Sequence, residues 1–529
     1  MGSRFIRKVR TASGAVAVQI VDQTGRTTTS VEHIGSANTD TELTLLLRSA
    51  EQRLHPGQQA FDFSDVEQEP SSLDEVADWT KNAAMPDVIP DRGRPRTGAT
   101  GTAKVVASPA TELWDILTAA YARLGFEVLD DEGFRAMVLA RLIEPTSKAD
   151  TIRVLDDVCA PHPSLRTLFR SLHRCHDLNY KDTLAKAMVA YRSRSVGLGA
   201  MIMYDVTTLH FESKKGDDLR KVGMSKEHRV DPQIQVGLLV DPAGFPLEMH
   251  MFAGNKAETT TIVPVVQAFQ ERHGITDMVV VADAGMLSAA NLTALEDAGF
   301  KFIVGSRMAK APYDLQEHFD TKGNRFANGQ ILESKRVMGT GAKGRERRVI
   351  YQWSAKRFVT DNRNINLMER RAMGIAEGTS QMRKARFVKT TGTKPEVDEA
   401  RIERARMLAG LKGYVTNIDQ SVMKGQQVLD SYHDLWQVEA SFRMTKSDLS
   451  ARPVFHRDED AIDAHLTVVF AALAIGRHLQ EISGMSLKRI ITDLKGVRSA
   501  KIQVNDDYVV IPAEVSAELR ELLKKLKRG

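Results

Sequence analysis

Along residues 4–35, apolar and polar side chains alternate about Ser13-Gly14 and Thr24-Gly25, a period of two that predicts a small β-meander. Helical spacing takes over at 40–53. From 111 to 194 the pattern is helical throughout, broken at Pro145 and across 160–164. At Gly199 the texture changes to strands: 201–205 is an apolar run ending in Asp205, and strand patterns at 234–240 and 246–252 flank the turn 241–244. A helix at 259–273 precedes a second apolar run, 278–283, that ends in Asp283. A helix at 288–298 and a strand at 300–305 follow. Residues 309–411 are β-flavoured and studded with glycine, after which come a strand at 413–417 and helices at about 428–446 and 460–483. The tail, 512–527, is amphipathic, with Leu519, Leu522, Leu523 and Leu526 on one side.

Three adjacent strands, a helix, a strand, a helix and a strand is the order of a ribonuclease H-like core, an α/β fold on a mixed sheet. The chain therefore divides into a β-meander plus helix (1–55), an acidic then basic linker (56–107) and a helical region (108–197). The catalytic core comprises 198–308 and 412–485, interrupted by a basic β-rich insertion (309–411), and a C-terminal helical region (486–529) closes the chain.

With 42% hydrophobic and 27% charged residues among 529, a disulfide scaffold, a disordered tail and a polytopic membrane protein are excluded. Cys159 and Cys175 carry no metal-ligand spacing and read as core thiols of a reducing compartment. Residues 1–5 lack the apolar core of a signal peptide, and the apolar run 466–475 falls short of the roughly 20 residues of a membrane span. Cytoplasmic, nucleoid-associated residence without a membrane partner is the expectation.

The formal charge of +5 hides an uneven distribution. Residues 51–91 hold ten acids against two bases; 309–411 hold 22 Lys+Arg against 12 Asp+Glu, a net of +10. Arg92, Arg94 and Arg96 form a basic arm or a solvated linker. In the insertion, cations interleaved with Tyr351, Trp353 and Phe358 suit an extended phosphate backbone, the bland alternative being a solvated surface. Within the helical region, 147–158 and 164–173 resemble a helix-turn-helix whose second helix aligns Arg166, Arg170 and Arg174 at steps of four as DNA-binding candidates.

Asp205 or Asp283 singly would be structural, since Asp is common where strands enter turns. Two such carboxylates on neighbouring strands, with an acid on a later helix, match the converging oxygen ligands that two divalent cations about 3.5–4 Å apart need for phosphodiester chemistry. Glu439 is the third acid. Tyr432, Trp436, Glu439, Arg443 and Lys446 are spaced 4, 3, 4 and 3, one stripe of an α-helix suited to metal, phosphate and base contact. The alternative is an exposed face with a Glu439–Arg443 ion pair. His456, His465 and His478 lack i,i+4 spacing and read as structural.

Tyr432, Glu439 and Lys446 resemble the Tyr-x2-Arg-x3-Glu-x6-Lys element of DDE transposases encoded by bacterial insertion sequences, with Leu435 at the family's Arg position. Tyr204-Asp205, the segment 225–229, Gly254-Asn255, Asp283 to Gly285 and the insertion are similar to that family too, over about 141–480. The resemblance implies two Mg2+ ions, with Mn2+ able to substitute, bound by Asp205, Asp283 and Glu439. It implies phosphate contacts from Tyr432 and Lys446, and a homodimer or larger synaptic complex on double-stranded DNA, both element ends and target. Arg443, on the same stripe, is expected to supply the contact that Leu435 cannot, and Trp436 to touch DNA. Cut-and-paste transposition from terminal inverted repeats is the leading expectation; a nuclease without strand joining and a non-catalytic DNA-binding descendant are the alternatives.

Overall fold

The protein is described by a computed structural model covering residues 2–10, 16–24, 27–37, 104–197, 201–211, 216–223, 231–257, 260–275, 278–286, 288–306, 315–339, 344–381, 385–391, 394–452, 454, 456, 458–504 and 507–528. The chain separates into two units, Met1–Gly98 and Ala99–Gly529. In the first, β1 (Gly2–Arg10), β2 (Val16–Thr24) and β3 (Thr27–Ala37) form an antiparallel meander in that order, with Ala17, Val18, Ile20 and Val21 of the middle strand buried. The helix expected at 40–53, the acidic stretch 51–91 and the arginines at 92–96 lie outside the described residues.

The second unit begins with β4 (Lys104–Ala107) and five helices: α1 (Thr111–Arg123), α2 (Glu132–Ile143), α3 (Lys148–Asp157), α4 (Leu165–Asp177) and α5 (Tyr180–Ser195). Ser147 and Ser164 start α3 and α4 as N-caps, their hydroxyls accepting from Asp150 N–H and Thr167 N–H. Next come β5 (Met201–His210), β6 (Gln233–Val240), β7 (Pro246–Ala253), α6 (Ile262–His273), β8 (Val279–Ala282), α7 (Ala289–Asp297) and β9 (Lys301–Ser306). β5 to β7 are antiparallel neighbours and β5, β8 and β9 are parallel, the ribonuclease H-like order expected from the sequence. Every residue of β6 is buried, including Gln233 and Gln235, whose side-chain amides donate to the carbonyls of Gly254 and Lys256.

The insertion brings α8 (Gln316–Lys322), β10 (Ile331–Met338), β11 (Arg345–Trp353), α9 (Ala355–Ala376), β12 (Val388–Thr391), β13 (Lys394–Val397) and α10 (Glu399–Met407) before the chain returns as β14 (Leu411–Thr416). It is less purely β than its composition predicts. The 22-residue α9 and α10 share a small core of Ile365, Ala372, Phe387, Ile402 and Ala409. Meanwhile β10 and β11 join the main sheet, whose order is β10-β11-β14-β9-β8-β5-β6-β7.

Then come α11 (Gly425–His433), α12 (Trp436–Arg443), α13 (Glu459–Ser483), α14 (Leu487–Gly496), β15 (Ala500–Val504), β16 (Asp507–Ile511) and α15 (Ala517–Arg528). The C-terminal region is thus not all helical: β15 pairs with β16 and with β4, a segment read as linker, because their alternating β-branched residues find each other across the chain. α13 is long and apolar enough to cross a membrane, but its most apolar window is 89% buried, packed between the helical region and the sheet in one shared core.

Buried charges tie the layers together. Arg192 of α5 donates to Asp241 after β6 at 2.6 Å and to Glu481 of α13 at 2.8 Å. Glu248 of β7 accepts from His250 at 2.8 Å and from Arg272, with His273 Nε2 at 3.3 Å; Arg272 also reaches Asp182 of α5. Burial alone would raise the Glu248 carboxyl, yet these donors outweigh it and hold it down at about 2. A carboxyl so depressed stabilises the fold above its unfolded value of ~4.3 and loses that contribution as pH falls toward the folded value. Glu248→Gln should therefore flatten the loss of stability between about pH 4.5 and 2 by on the order of 3 kcal/mol. Denaturant melts at stepped pH measure this; parallel curves for variant and wild type contradict it.

Candidate active site

The two strand-end acids are placed by β-sheet register. Tyr204 of β5 and Ala282 of β8 are partners in the parallel ladder, so the next residues, Asp205 and Asp283, stand level on adjacent strands, which run about 4.8 Å apart. Asp205 is half-buried within β5, whereas Asp283 is exposed where β8 gives way to a short 3-10 turn, Ala284–Met286.

Tyr432, near the end of α11, reaches this pair, its hydroxyl donating to Asp283 Oδ1 at 2.8 Å. Burial, then the charge and hydrogen bond of Asp283, then Tyr414 and Asp205, push the phenol well above its ordinary value, so it stays protonated and remains a donor. Gly305 of β9 makes the approach possible: a Cβ there would lie 2.5 Å from the Tyr432 hydroxyl. Tyr414 packs edge-on against Tyr432, ring centres 4.8 Å apart.

Sequence reasoning missed Lys412, one residue before the strand expected at 413–417. Its ammonium lies 4.3 Å from the centre of the Tyr432 ring. Burial and Arg357 lower its pKa, opposed by Asp283 and Glu439, so one cation sits within range of acids from β8 and α12. Lys412 is the second residue of β14, and no local pattern marks it, because what makes it matter is a tyrosine from a separate helix.

The helix expected at 428–446 is interrupted. Leu435, Gln437 and Val438 N–H groups bond three residues back rather than four, tightening the turn between α11 and α12, and the chain leaves α12 through a π turn, Met444–Asp448. The stripe is therefore split. Tyr432 is 5% exposed and faces the strand-end acids, whereas Trp436 is 58% exposed, Glu439 and Arg443 are exposed, and Lys446 is half-buried in the π turn. No ion pair joins Glu439 to Arg443 among the described residues. Leu435, 7% exposed, packs into the core, so an arginine at this position of this chain would bury its charge. α12 is pinned by Val438 and Phe442, by the Ser441 hydroxyl donating to Gly244 O at 2.7 Å, and by Arg477 donating to Gln437 at 2.6 Å.

All donors in the constellation are carboxylate oxygens, the chemistry that hard divalent cations take. Among the described residues no group of three His, Cys, Asp or Glu side chains is close enough to hold a metal by itself, so Glu439 would have to approach the strand-end pair. Segment 225–229 lies outside the described residues. The histidines are structural: burial holds His465 well below its ordinary pKa and His478 at about 4, the latter bonded to the Tyr191 hydroxyl at 3.0 Å.

The remaining DNA-binding candidates are not equivalent. Arg166 and Arg170 are exposed on α4, but Arg174 donates to Asp131 at 2.7 and 2.9 Å. Burial would raise that carboxyl, and bonds from Ser171, Phe134 N–H, Arg174 and Tyr180 hold it low. In the insertion, Arg345 and Arg347 bind Glu296, Arg347 being fully buried, and Arg348 binds Glu333 and the carbonyls of Ile418 and Met423. Tyr351 is buried and the Trp353 indole donates to Ala409 O, because this face of β11 packs into the core. These cations and rings hold the insertion in place; among the described residues Lys356, Arg357, Arg363, Arg370 and Arg371 of α9 and Arg401 and Arg404 of α10 are exposed.

A family model described as the transposase DDE domain matches residues 200–475. Among solved structures, a cryo-EM structure of a piggyBac transposase synaptic complex with hairpin DNA is similar at 11% identity and a TM-score of 0.36, covering 71% of this chain and 70% of that one. No curated protein matches the chain.

Gly305→Ala is expected to drive Tyr432 off Asp283 and destabilise the protein by about 1–3 kcal/mol. Because the clash is with the phenol, combining it with Tyr432→Phe should cost less than the sum of the two. A double-mutant cycle by chemical denaturation measures the coupling; strictly additive losses contradict it.

Proposed function

The chain belongs to the DDE transposase family, and from that premise we propose that it is the transposase of an insertion sequence, binding terminal inverted repeats and cutting and joining DNA strands. The observation that supports this reading is the level placement of Asp205 and Asp283 on parallel strands, linked through Tyr432 and Lys412 to the helix carrying Glu439. Proteins of this family use divalent metal ions. In the proposed site Asp205, Asp283 and, once it approaches them, Glu439 would hold two of them, Mg2+ with Mn2+ as substitute. When bound, such ions polarise an attacking water or 3′-hydroxyl and neutralise the leaving oxygen.

The chain's own residues do the rest. Tyr432 orients one oxygen of Asp283 and leaves the other open to a ligand. Lys412 lies within electrostatic range of Asp283 and Glu439 and offsets part of their mutual repulsion before metal arrives. Arg443, Lys446 and Trp436 present charge and a ring toward the phosphate and bases of the processed strand. Arg166 and Arg170 read phosphates of the element end, while Arg174 serves the fold. The working particle is a homodimer or larger synaptic complex in the cytoplasm, associated with the nucleoid.

Asp205→Asn, Asp283→Asn and Glu439→Gln are each expected to slow Mg2+-dependent cleavage of an end-bearing duplex by at least ~100-fold, the upper loss seen for residues one shell further from a metal. End binding in a gel shift should survive. Wild-type cleavage in any of the three would overturn the assignment, and cleavage without strand-joined product would identify a nuclease instead.

End binding should also weaken steeply with salt. Arg166→Ala/Arg170→Ala should make the slope of log affinity against log salt shallower by about 0.9 for each phosphate that is no longer neutralised. Arg174→Ala should instead lower the melting temperature. An unchanged slope would remove α4 from the DNA surface.

A further inference from the structure

Between α9, α10 and the start of β14 lies a cleft of about 730 Å3. Arg357, Arg386, Arg401, Arg404 and Lys412 line it against a single carboxylate, Asp361. That carboxylate is already engaged, accepting the Gly410 N–H at 3.0 Å. Arg401 lies 3.6 Å from Asp398 and donates to the Arg386 carbonyl, but Arg357 and Arg404 pair with no carboxylate among the described residues. Ile365 and Leu408 give the cleft an apolar floor.

Five cations gathered on one concave, partly apolar surface repel one another, and Asp361 and Asp398 offset only part of this; a polyanion entering the cleft would offset the rest. One of its lining residues is Lys412, the lysine that lies on the Tyr432 ring within range of Asp283 and Glu439, so the cleft adjoins the surroundings of the acids. The volume is that of a pocket for a small molecule, ~300–1,000 Å3, which admits one or two nucleotides and excludes a duplex.

We propose that this cleft binds one or two nucleotides of a single DNA strand adjoining the phosphodiester at the acids, with Arg357 and Arg404 on phosphates and the apolar floor under sugar and base. The proposal rests on the transposase reading for the identity of the strand.

The test is fluorescence anisotropy with the full chain in EDTA, so that no chemistry is required. The probes are labelled oligo-dT of eight nucleotides and a blunt duplex. Arg357→Ala/Arg404→Ala should weaken oligo-dT binding at least tenfold and flatten its log–log salt slope by about 1.4, two phosphates at ~0.7 each for single strands. Duplex binding should fall by much less. Arg357→Lys/Arg404→Lys, which keeps the charge, should retain most of the slope, showing that the loss is not misfolding. Unchanged oligo-dT binding in the alanine variant would overturn the proposal, as would equal losses for duplex and single strand. Displacement of oligo-dT by equimolar dTMP would also overturn it, marking a free-nucleotide site. Because the assay is metal-free, these outcomes are independent of the cleavage assay: active Asp205→Asn would sink the transposase reading and leave the binding result standing.

Discussion

Everything at the candidate site depends on one strand pairing, the parallel ladder in which Tyr204 faces Ala282. A slip of a single residue would turn Asp205 to the opposite face of the sheet and separate it from Asp283. The pairing is over-determined. β5 lies between β8 on one side and the wholly buried β6 on the other, so any slip would carry apolar side chains of several strands out of the core. A close approach of like charges is held by hydrophobic packing that the charges themselves do not supply.

The same sheet explains how the insertion is positioned. β11 pairs with β14 and β14 with β9, so a segment of more than a hundred residues, by sequence an interruption, becomes a continuation of the main sheet. Arg347, buried beneath Glu296 and Thr293, fastens it. A buried arginine left without its carboxylate would be costly, so this pairing specifies where the insertion sits as much as it stabilises it. α9 and α10 are thereby held beside Lys412, and Arg357, Arg386, Arg401 and Arg404 line one cleft with it.

The interrupted helix from α11 to α12 shows how one spacing can serve two environments. Tightened hydrogen bonding across 434–438 changes the angular step between side chains, so Tyr432 turns into the core toward Asp283 while Glu439 remains on the outer face. An ideal 3.6-residue repeat would have kept both on one line.

By itself the sequence determined the order of strands and helices from β5 to β9, the two apolar runs that end in Asp205 and Asp283, and the Tyr432, Glu439, Lys446 spacing that points to the family. Each of these is written in neighbouring residues, where periodicity and local hydrogen bonding decide the outcome. Only the tertiary structure decided which cations are free. Arg174 and Arg347 read along the chain like Arg166 and Arg357, yet the first two are neutralised by Asp131 and Glu296, which are 43 and 51 residues away. Gly305 and Lys412 were equally silent, since what makes them matter is a tyrosine that approaches from a separate helix. Charge and steric fit depend on partners brought together from distant parts of the chain, and no local pattern encodes that meeting.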